Sequence, residues 1–234
     1  GSGDSFKNYP VDIKLDSYYF NLKLLKPIAK LFDKFFKISL NEIEIYFRAK
    51  KIINDLKNYD VVQLINENAF KTLPSLEISL IKKLKKNNKK LFLLSCGVDK
   101  KSVEYALNEK FRYSILSPYL KNPNLKKSYR YILKYTSKNY IKLHKYLKEN
   151  VNGIISSDID YHIPYLNEKK YLGLIPNPIN VDIIKYKRIE INDKIKILHA
   201  VNSKNYLKKG NIFFDKALNV IKEKYNDKVE IINT

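Results

Sequence analysis

The sequence predicts an α/β protein with a Rossmann-like parallel sheet and helices on both of its faces. Short apolar runs of four to six residues alternate with stretches of ten to sixteen residues that show helical spacing. Runs that are apolar along their whole length are typical of parallel strands, because helices cover both faces of such a sheet. A chain of 234 residues, 44% of them hydrophobic, is long enough for one large domain or two small ones.

The predicted strands are the apolar runs that turn residues or charges interrupt. In chain order they are residues 11–15, 60–65, 90–95, 153–156, 171–175, 194–199 and 229–232. The predicted helices are the stretches in which apolar residues recur every three or four positions. In chain order they are residues 22–36, 41–56, 76–87, most of 102–150, 158–167 and 210–225. Pro27 suits the start of the first helix and Ser39 or Asn41 the start of the second, whereas Pro118 and Pro123 should break the longest stretch.

The segment around Pro176-Asn177-Pro178 predicts a boundary between two domains. Its prolines cannot continue a helix, residues 185–193 are polar, and a new strand–helix–strand pattern follows. We therefore predict a first domain over residues 1–175, a linker over 176–193 and the start of a second domain over 194–234.

Composition excludes several classes of protein. The single cysteine, Cys96, cannot form an internal disulfide, and the three histidines are too far apart for a recognisable zinc motif. No apolar run reaches the ~18 residues needed to cross a bilayer, and no signal peptide is recognisable. These features favour a cytoplasmic location without a metal centre. The chain also lacks methionine, and we expect it to be a fragment of a longer protein.

The formal charge of +21 is concentrated in the middle of the chain. Residues 1–60 carry +3, residues 61–150 carry +14 and residues 151–234 carry +4. Such an excess of positive charge attracts nucleic acid, anionic lipid or phosphorylated substrates, although a general bias toward lysine produces the same pattern. Only four of the 45 basic residues are arginines, which argues against sequence-specific binding of nucleic acid.

The first predicted helix, residues 22–36, has an apolar face and several lysines. This pattern is typical of a helix that lies on an anionic membrane, and the protein would then be peripheral at the inner face of the membrane. The alternative is that the apolar face packs on the sheet.

Polar residues follow two predicted strands, where parallel sheets bind ligands. Asn66 and Glu67 follow the second strand, and Gly97 and Asp99 follow the third. Carboxylates at this edge accept hydrogen bonds from sugar hydroxyls or act as a base, but they also serve as turn or cap residues. Cys96, beside them, is expected to pack and not to react. His162 and His199 are expected to be structural.

A second group of candidates opens the last predicted helix. Backbone N–H groups at Gly210, with Lys204 and Lys209 nearby, are suited to bind a phosphate or diphosphate. The alternative is that these are solvated lysines in a lysine-rich chain. The P-loop and dinucleotide-binding motifs are both absent from the sequence.

The order of these segments resembles the GT-B glycosyltransferases of the retaining, nucleotide-sugar-dependent group, in a bacterial branch. Four stretches carry the resemblance: Gly3-Asp4-Ser-Phe-Lys-Asn-Tyr-Pro-Val-Asp-Ile13; Tyr59 to Asn66 with Leu91 to Asp99; Gly173-Leu-Ile-Pro-Asn-Pro-Ile-Asn-Val-Asp182; and Lys196 to Val201 with Lys204-x4-Lys209-Gly210. Lys204 stands where that family usually has arginine. The family's first strand and helix, and the second half of its donor domain with a paired-glutamate motif, have no counterpart in the sequence.

The resemblance implies an incomplete acceptor domain over residues 1–175 and the start of a nucleotide-sugar-binding domain at residue 194. It implies transfer of a sugar from a nucleotide diphosphate sugar to a glycan or lipid-linked acceptor, in the synthesis of cell-envelope polysaccharide or glycoconjugate. It also implies retention of configuration, with no metal and no other cofactor. Asp99 would be the catalytic residue. The acceptor would be bound by Asn66, Glu67 and Gly97, and the phosphates of the donor by Lys204, Lys209 and Gly210.

Two other interpretations stay open. The chain could be a non-catalytic basic α/β module that binds nucleic acid or another polyanion, since its 19 tyrosines include candidates for stacking on bases. It could also be a degenerate transferase retained as a scaffold.

Overall fold

A four-stranded parallel sheet in the order β1-β2-β3-β4 organises the first unit of the chain. The structure is a computed structural model that describes residues 11–36, 38–188, 194–201 and 203–233. The strands of this sheet are β1 (Val61–Ile65), β2 (Lys90–Ser95), β3 (Gly153–Ser156) and β4 (Tyr171–Leu174). Ile65 pairs with Leu94, and Ser95 pairs with Ser156, so the strands end at one edge of the sheet.

Nine α-helices lie in the described part of the chain. They are α1 (Lys26–Phe36), α2 (Leu40–Ile52), α3 (Pro74–Asn87), α4 (Lys100–Leu107), α5 (Ser117–Lys121), α6 (Arg130–Leu133), α7 (Lys138–Asn150), α8 (Ile159–Tyr165) and α9 (Asn211–Tyr225). Short 3₁₀ helices cover Tyr19–Asn21, Pro123–Lys127, Lys134–Thr136 and Ser203–Asn205. Of the described helices, none is both long and apolar enough to cross a lipid bilayer.

The core of the first unit lies between the sheet and the helices α3 and α7. Leu91 and Leu93 of β2 are buried, as are Ile81 of α3 and Leu143 and Leu147 of α7. The buried positions of α7 recur every three or four residues, as expected for a helix that packs along one face.

The chain divides into two compact units. The residues up to Val103 and Ile132–Pro176 form the first, and Glu104–Tyr131 and the chain from Asn177 onward form the second. The second unit contains a pair of parallel strands, β5 (Ile195–His199) and β6 (Val229–Asn233), which α9 connects.

The α/β class and the parallel sheet predicted from the sequence are confirmed. β2 and β3 have the predicted bounds, and Ser39 caps α2 by accepting a hydrogen bond from the backbone N–H of Glu42. The prediction of a strand at residues 11–15 is wrong. Val11, Ile13 and Leu15 line a groove beside β1 without joining the sheet, and Val11 and Ile13 are 38% and 39% exposed, so their alternation reflects neither strand pairing nor burial of one side.

The break of the long helical stretch predicted at the two internal prolines is confirmed. Pro118 lies in the first turn of α5, and Pro123 lies in the first turn of a 3₁₀ helix. Proline is well suited to a first helical turn because the N–H that it lacks would have no partner within the helix there. Both prolines therefore begin a short helix, and neither lies inside a longer one.

Candidate functional site at the carboxyl edge of the sheet

The structure brings together Asn66, Glu67, Gly97 and Asp99, the four candidates of the first unit. Asn66 and Glu67 directly follow β1, and Gly97 and Asp99 lie in the loop between β2 and α4. Because β1 and β2 are parallel neighbours in register, the two loops meet at the carboxyl edge of the sheet.

The side chain of Asn66 joins these two loops. Its Nδ2 donates hydrogen bonds to the backbone carbonyls of Cys96 and Val98, at 2.6 and 2.7 Å. Its Oδ1 accepts from the backbone N–H of Asn68 at 3.1 Å and from the hydroxyl of Tyr135 at 3.3 Å. Asn66 has a φ of 76°, a left-handed conformation that asparagine tolerates better than most residues. The amide therefore fixes the shape of the loop around Gly97.

Glu67 lies beneath this surface and pairs with a histidine from a distant helix. Its side chain is fully buried, and Oε1 contacts Nδ1 of His144 in α7. Oε2 accepts a hydrogen bond from the backbone N–H of Lys100 at 3.2 Å. Burial raises the pKa of Glu67, and the charge of Asp99 acts in the same direction, while the contact with His144 opposes both effects.

Asp99 is also fully buried, and its carboxylate starts helix α4. Oδ1 accepts from the backbone N–H of Ser102 at 2.7 Å, which is the geometry of a helix N-cap. Oδ2 accepts from the hydroxyl of Tyr165 at 3.1 Å and also contacts the hydroxyl of Ser95. Both oxygens therefore have protein partners, and the carboxylate ties β2, α4 and α8 together.

The exposed part of the site consists of loop groups above the two carboxylates. Gly97 is exposed and Asn66 is half-buried. Gly97 has a φ of 68°, which glycine adopts without strain. Crowding is not the reason for a glycine here, because an added Cβ would lie 3.6 Å from Nδ2 of Asn66, an ordinary contact distance. Burial raises the pKa of the Cys96 thiol to about 11, so the thiol is protonated at neutral pH and is a poor nucleophile.

A second group of hydrogen-bonded polar side chains lies at the carboxyl end of β3. The hydroxyl of Tyr171 lies 2.5 Å from Oγ of Ser156 and 2.7 Å from Nδ1 of His162. These contacts tie α8 to β3 and β4. Within the described residues, no group of three or more His, Cys, Asp or Glu side chains is arranged to hold a metal ion.

The candidates for donor binding lie in the second unit, between β5 and α9. Gly210 precedes α9 with a φ of 70°, and Lys209 beside it is exposed. The backbone N–H of Lys209 donates to the carbonyl of Asn205 at 2.9 Å, which closes the turn before the helix. Lys204 lies in the short 3₁₀ helix Ser203–Asn205, but its side chain is outside the part of the chain that the structure describes.

His199, at the end of β5, contacts the first turns of α9. Its Nε2 lies 3.2 Å from Oδ1 of Asn211, and its Nδ1 lies 3.6 Å from Oδ1 of Asp215. Its ring stacks on Phe214 with the centroids 5.4 Å apart. The histidine therefore anchors the helix that follows the lysine-rich loop.

Several residues of the first-unit site were not among the candidates from the sequence. His144, Tyr165 and Tyr135 reach it from α7, α8 and the 3₁₀ helix between α6 and α7. The spacing of Tyr140, Leu143, His144 and Leu147 places His144 on the buried face of its helix, and a polar residue on such a face needs a partner. The spacing therefore predicts that His144 has a buried hydrogen-bond partner, but it does not predict that this partner is Glu67.

Comparison of the chain with models of protein families, with curated proteins and with solved structures found no match.

Proposed function

We propose that this chain belongs to a glycosyltransferase that moves a sugar from a nucleotide diphosphate sugar to a glycan or lipid-linked acceptor. The main support is the grouping of Asn66, Glu67, Gly97 and Asp99 at the carboxyl edge of a parallel sheet. This edge is where open α/β sheets bind ligands.

On the acceptor side, loop groups at the surface bind the acceptor and the buried carboxylates position the loops. Gly97 offers exposed backbone groups to sugar hydroxyls, while the amide of the half-buried Asn66, which already bonds to the loops through its oxygen and its N–H₂ group, holds those backbone groups in place. Glu67 and Asp99 keep those loops in place through His144, Ser102 and Tyr165. In this proposal Asp99 is a positioning residue, because its oxygens already accept hydrogen bonds from the protein.

On the donor side, transfer requires that the negative charge of the departing diphosphate is balanced. Lys209 is exposed just before α9, where the helix dipole favours an anion, while the backbone N–H groups of Lys209, Gly210 and Asn211 donate to carbonyls of the preceding turn. Lys209 therefore supplies the charge, and Gly210 lets the backbone approach the phosphates closely.

The proposal is tested by binding of nucleoside diphosphates, with UDP, GDP and ADP titrated separately in a calorimeter. At least one should bind, and Lys209→Gln should weaken it roughly ten-fold, since one charge-assisted hydrogen bond is lost. Lys216→Gln removes an equal charge from an exposed position of α9 and should change affinity by less than about two-fold. The proposal fails if none of the three binds or if the two variants behave alike. Release of sugar from the matching nucleotide sugar is the second readout.

The alternative of a polyanion-binding module has one specific observation in its favour. In the second unit, Nζ of Lys208 lies 4.4 Å from the centroid of the Tyr131 ring, and Arg112 lies 5.3 Å from that of Tyr113. Both tyrosines are exposed, and exposed aromatic rings beside basic side chains are typical of surfaces that bind single-stranded nucleic acid. This alternative predicts that the chain binds random oligonucleotides with an affinity that falls steeply as salt is added. It also predicts that Tyr113→Ala and Tyr131→Ala weaken this binding.

A further inference from the structure

Helix α1 carries an apolar face that the described structure leaves open to solvent. Ile28, Leu31 and Phe35 are three and four residues apart, which puts them on one side of the helix. They are 55%, 56% and 69% exposed, and Leu24, in the turn before the helix, is 84% exposed. We call these four residues the apolar face of α1.

A different side of the helix makes its protein contacts. Ala29 is the buried residue of α1, and the helix contacts α2 and the 3₁₀ helix Tyr19–Asn21. The apolar face is thus turned away from the packing that holds α1 to the first unit. The sequence left two alternatives for this face, and its exposure favours an external surface over packing on the sheet.

Lysines form the polar side of α1, away from the apolar face. Lys26, Lys30 and Lys34 are four residues apart and exposed, so they form a row along the helix. Lys34, three residues after Leu31, lies nearest the apolar face, and a lysine there extends its ammonium group toward phosphate while its methylene groups rest on apolar surface. Charge and hydrophobicity together match the boundary between the headgroups and acyl chains of an anionic bilayer.

We propose that α1 docks the protein on anionic phospholipid membranes, with Leu24, Ile28, Leu31 and Phe35 in the acyl boundary. Charge decides for anionic lipid over a second copy of the chain, because a second copy carries the same net charge of +21 and would be repelled. The inference does not depend on the proposed function, because binding to vesicles needs no substrate.

The test is co-sedimentation of the purified chain with vesicles of an equimolar mixture of phosphatidylcholine and phosphatidylglycerol. The wild type should bind these and should bind vesicles of phosphatidylcholine alone much more weakly. Leu31→Ser combined with Phe35→Ser should reduce partitioning at least about ten-fold. Ile212→Ser with Phe213→Ser, an exposed pair on α9, is the matched control and should leave it unchanged.

A second comparison separates docking through α1 from general attraction of a +21 protein to anionic vesicles. Lys26, Lys30 and Lys34 are changed together to Gln in one variant, and Lys82, Lys83 and Lys86 of α3 in another. The first should weaken binding at least about ten-fold and the second by less than about three-fold. Equal weakening by both triple variants, or wild-type binding by the Leu31/Phe35 variant, would overturn the proposal. So would a dimer in gel filtration that the Leu31/Phe35 variant converts to monomer while vesicle binding persists.

Discussion

The carboxylate of Glu67, fully buried at the end of β1, contacts Nδ1 of His144, which lies 77 residues later in α7. The pair joins the sheet to the helix that covers it. The backbone N–H of Lys100 donates to the second oxygen of Glu67. Loss of the imidazole would therefore leave the other oxygen of a buried carboxyl group without this partner.

His144→Ala is expected to lower the free energy of unfolding at pH 7 by about 2–3 kcal/mol, because it leaves a buried carboxyl group without one of its hydrogen-bond partners. Urea denaturation measures this effect. Combining it with Glu67→Gln should cost less than the sum of the single variants, because both substitutions remove the same contact. His162→Ala is the control, because His162 contacts only the neutral hydroxyl of Tyr171 and should cost about 1 kcal/mol. Equal losses from the two histidine variants would contradict the assigned role.

The contrast between Glu67 and His144 also shows what the sequence is able to predict. Glu67 was a candidate because polar residues that follow neighbouring parallel strands meet at one edge, and this rule depends only on strand positions. His144 is not a candidate from the sequence, because its contact with Glu67 depends on how α7 packs on the sheet. The strand at residues 11–15 was predicted wrongly for a related reason. Alternation of apolar residues is a property of the local sequence, whereas strand pairing depends on a neighbour far away in the chain.

Asn66→Asp tests the bridge between the two loops. A carboxylate would face the carbonyls of Cys96 and Val98 in place of an N–H₂ donor, so two hydrogen bonds become repulsive contacts. We expect a loss of about 2–4 kcal/mol at pH 7 in urea denaturation. Asn58→Asp is the matched control, since Asn58 is exposed and also has a positive φ, of 65°. It should cost less than about 0.5 kcal/mol, and a similar cost for both would contradict the bridge.

Gly97→Ala isolates the effect of backbone conformation in the exposed loop. The added Cβ meets no close neighbour, but a φ of 68° is unfavourable for alanine, so the expected cost is about 1–2 kcal/mol. Gly97→Asn should cost less than Gly97→Ala, because asparagine adopts this region more readily. Thermal unfolding of both variants against the wild type is the measurement. The reverse order would show that contacts and not conformation fix this position.

Glu77 in α3 predicts a pH dependence of stability. Its carboxyl group is fully buried and accepts hydrogen bonds from the backbone N–H groups of Phe70 and Thr72 and from the Thr72 hydroxyl, at 2.7, 3.1 and 2.7 Å. Burial is the largest effect on this group and raises its pKa from 4.5 to about 7. In the unfolded chain the pKa returns to its ordinary value of 4.5.

Between these two pKa values the folded protein binds more protons than the unfolded chain, so the free energy of unfolding falls as the pH rises. The contribution of Glu77 is complete below about pH 4 and is lost by about pH 7, with a total of about 3 kcal/mol. Glu77→Gln removes the titrating group and should flatten this part of the stability curve, measured by urea denaturation at intervals from pH 5 to pH 7. Glu109→Gln, at an exposed position, should leave the slope as in the wild type. An unchanged slope in Glu77→Gln would mean that Glu77 is ionised in the folded protein throughout this range, with its three donors outweighing burial.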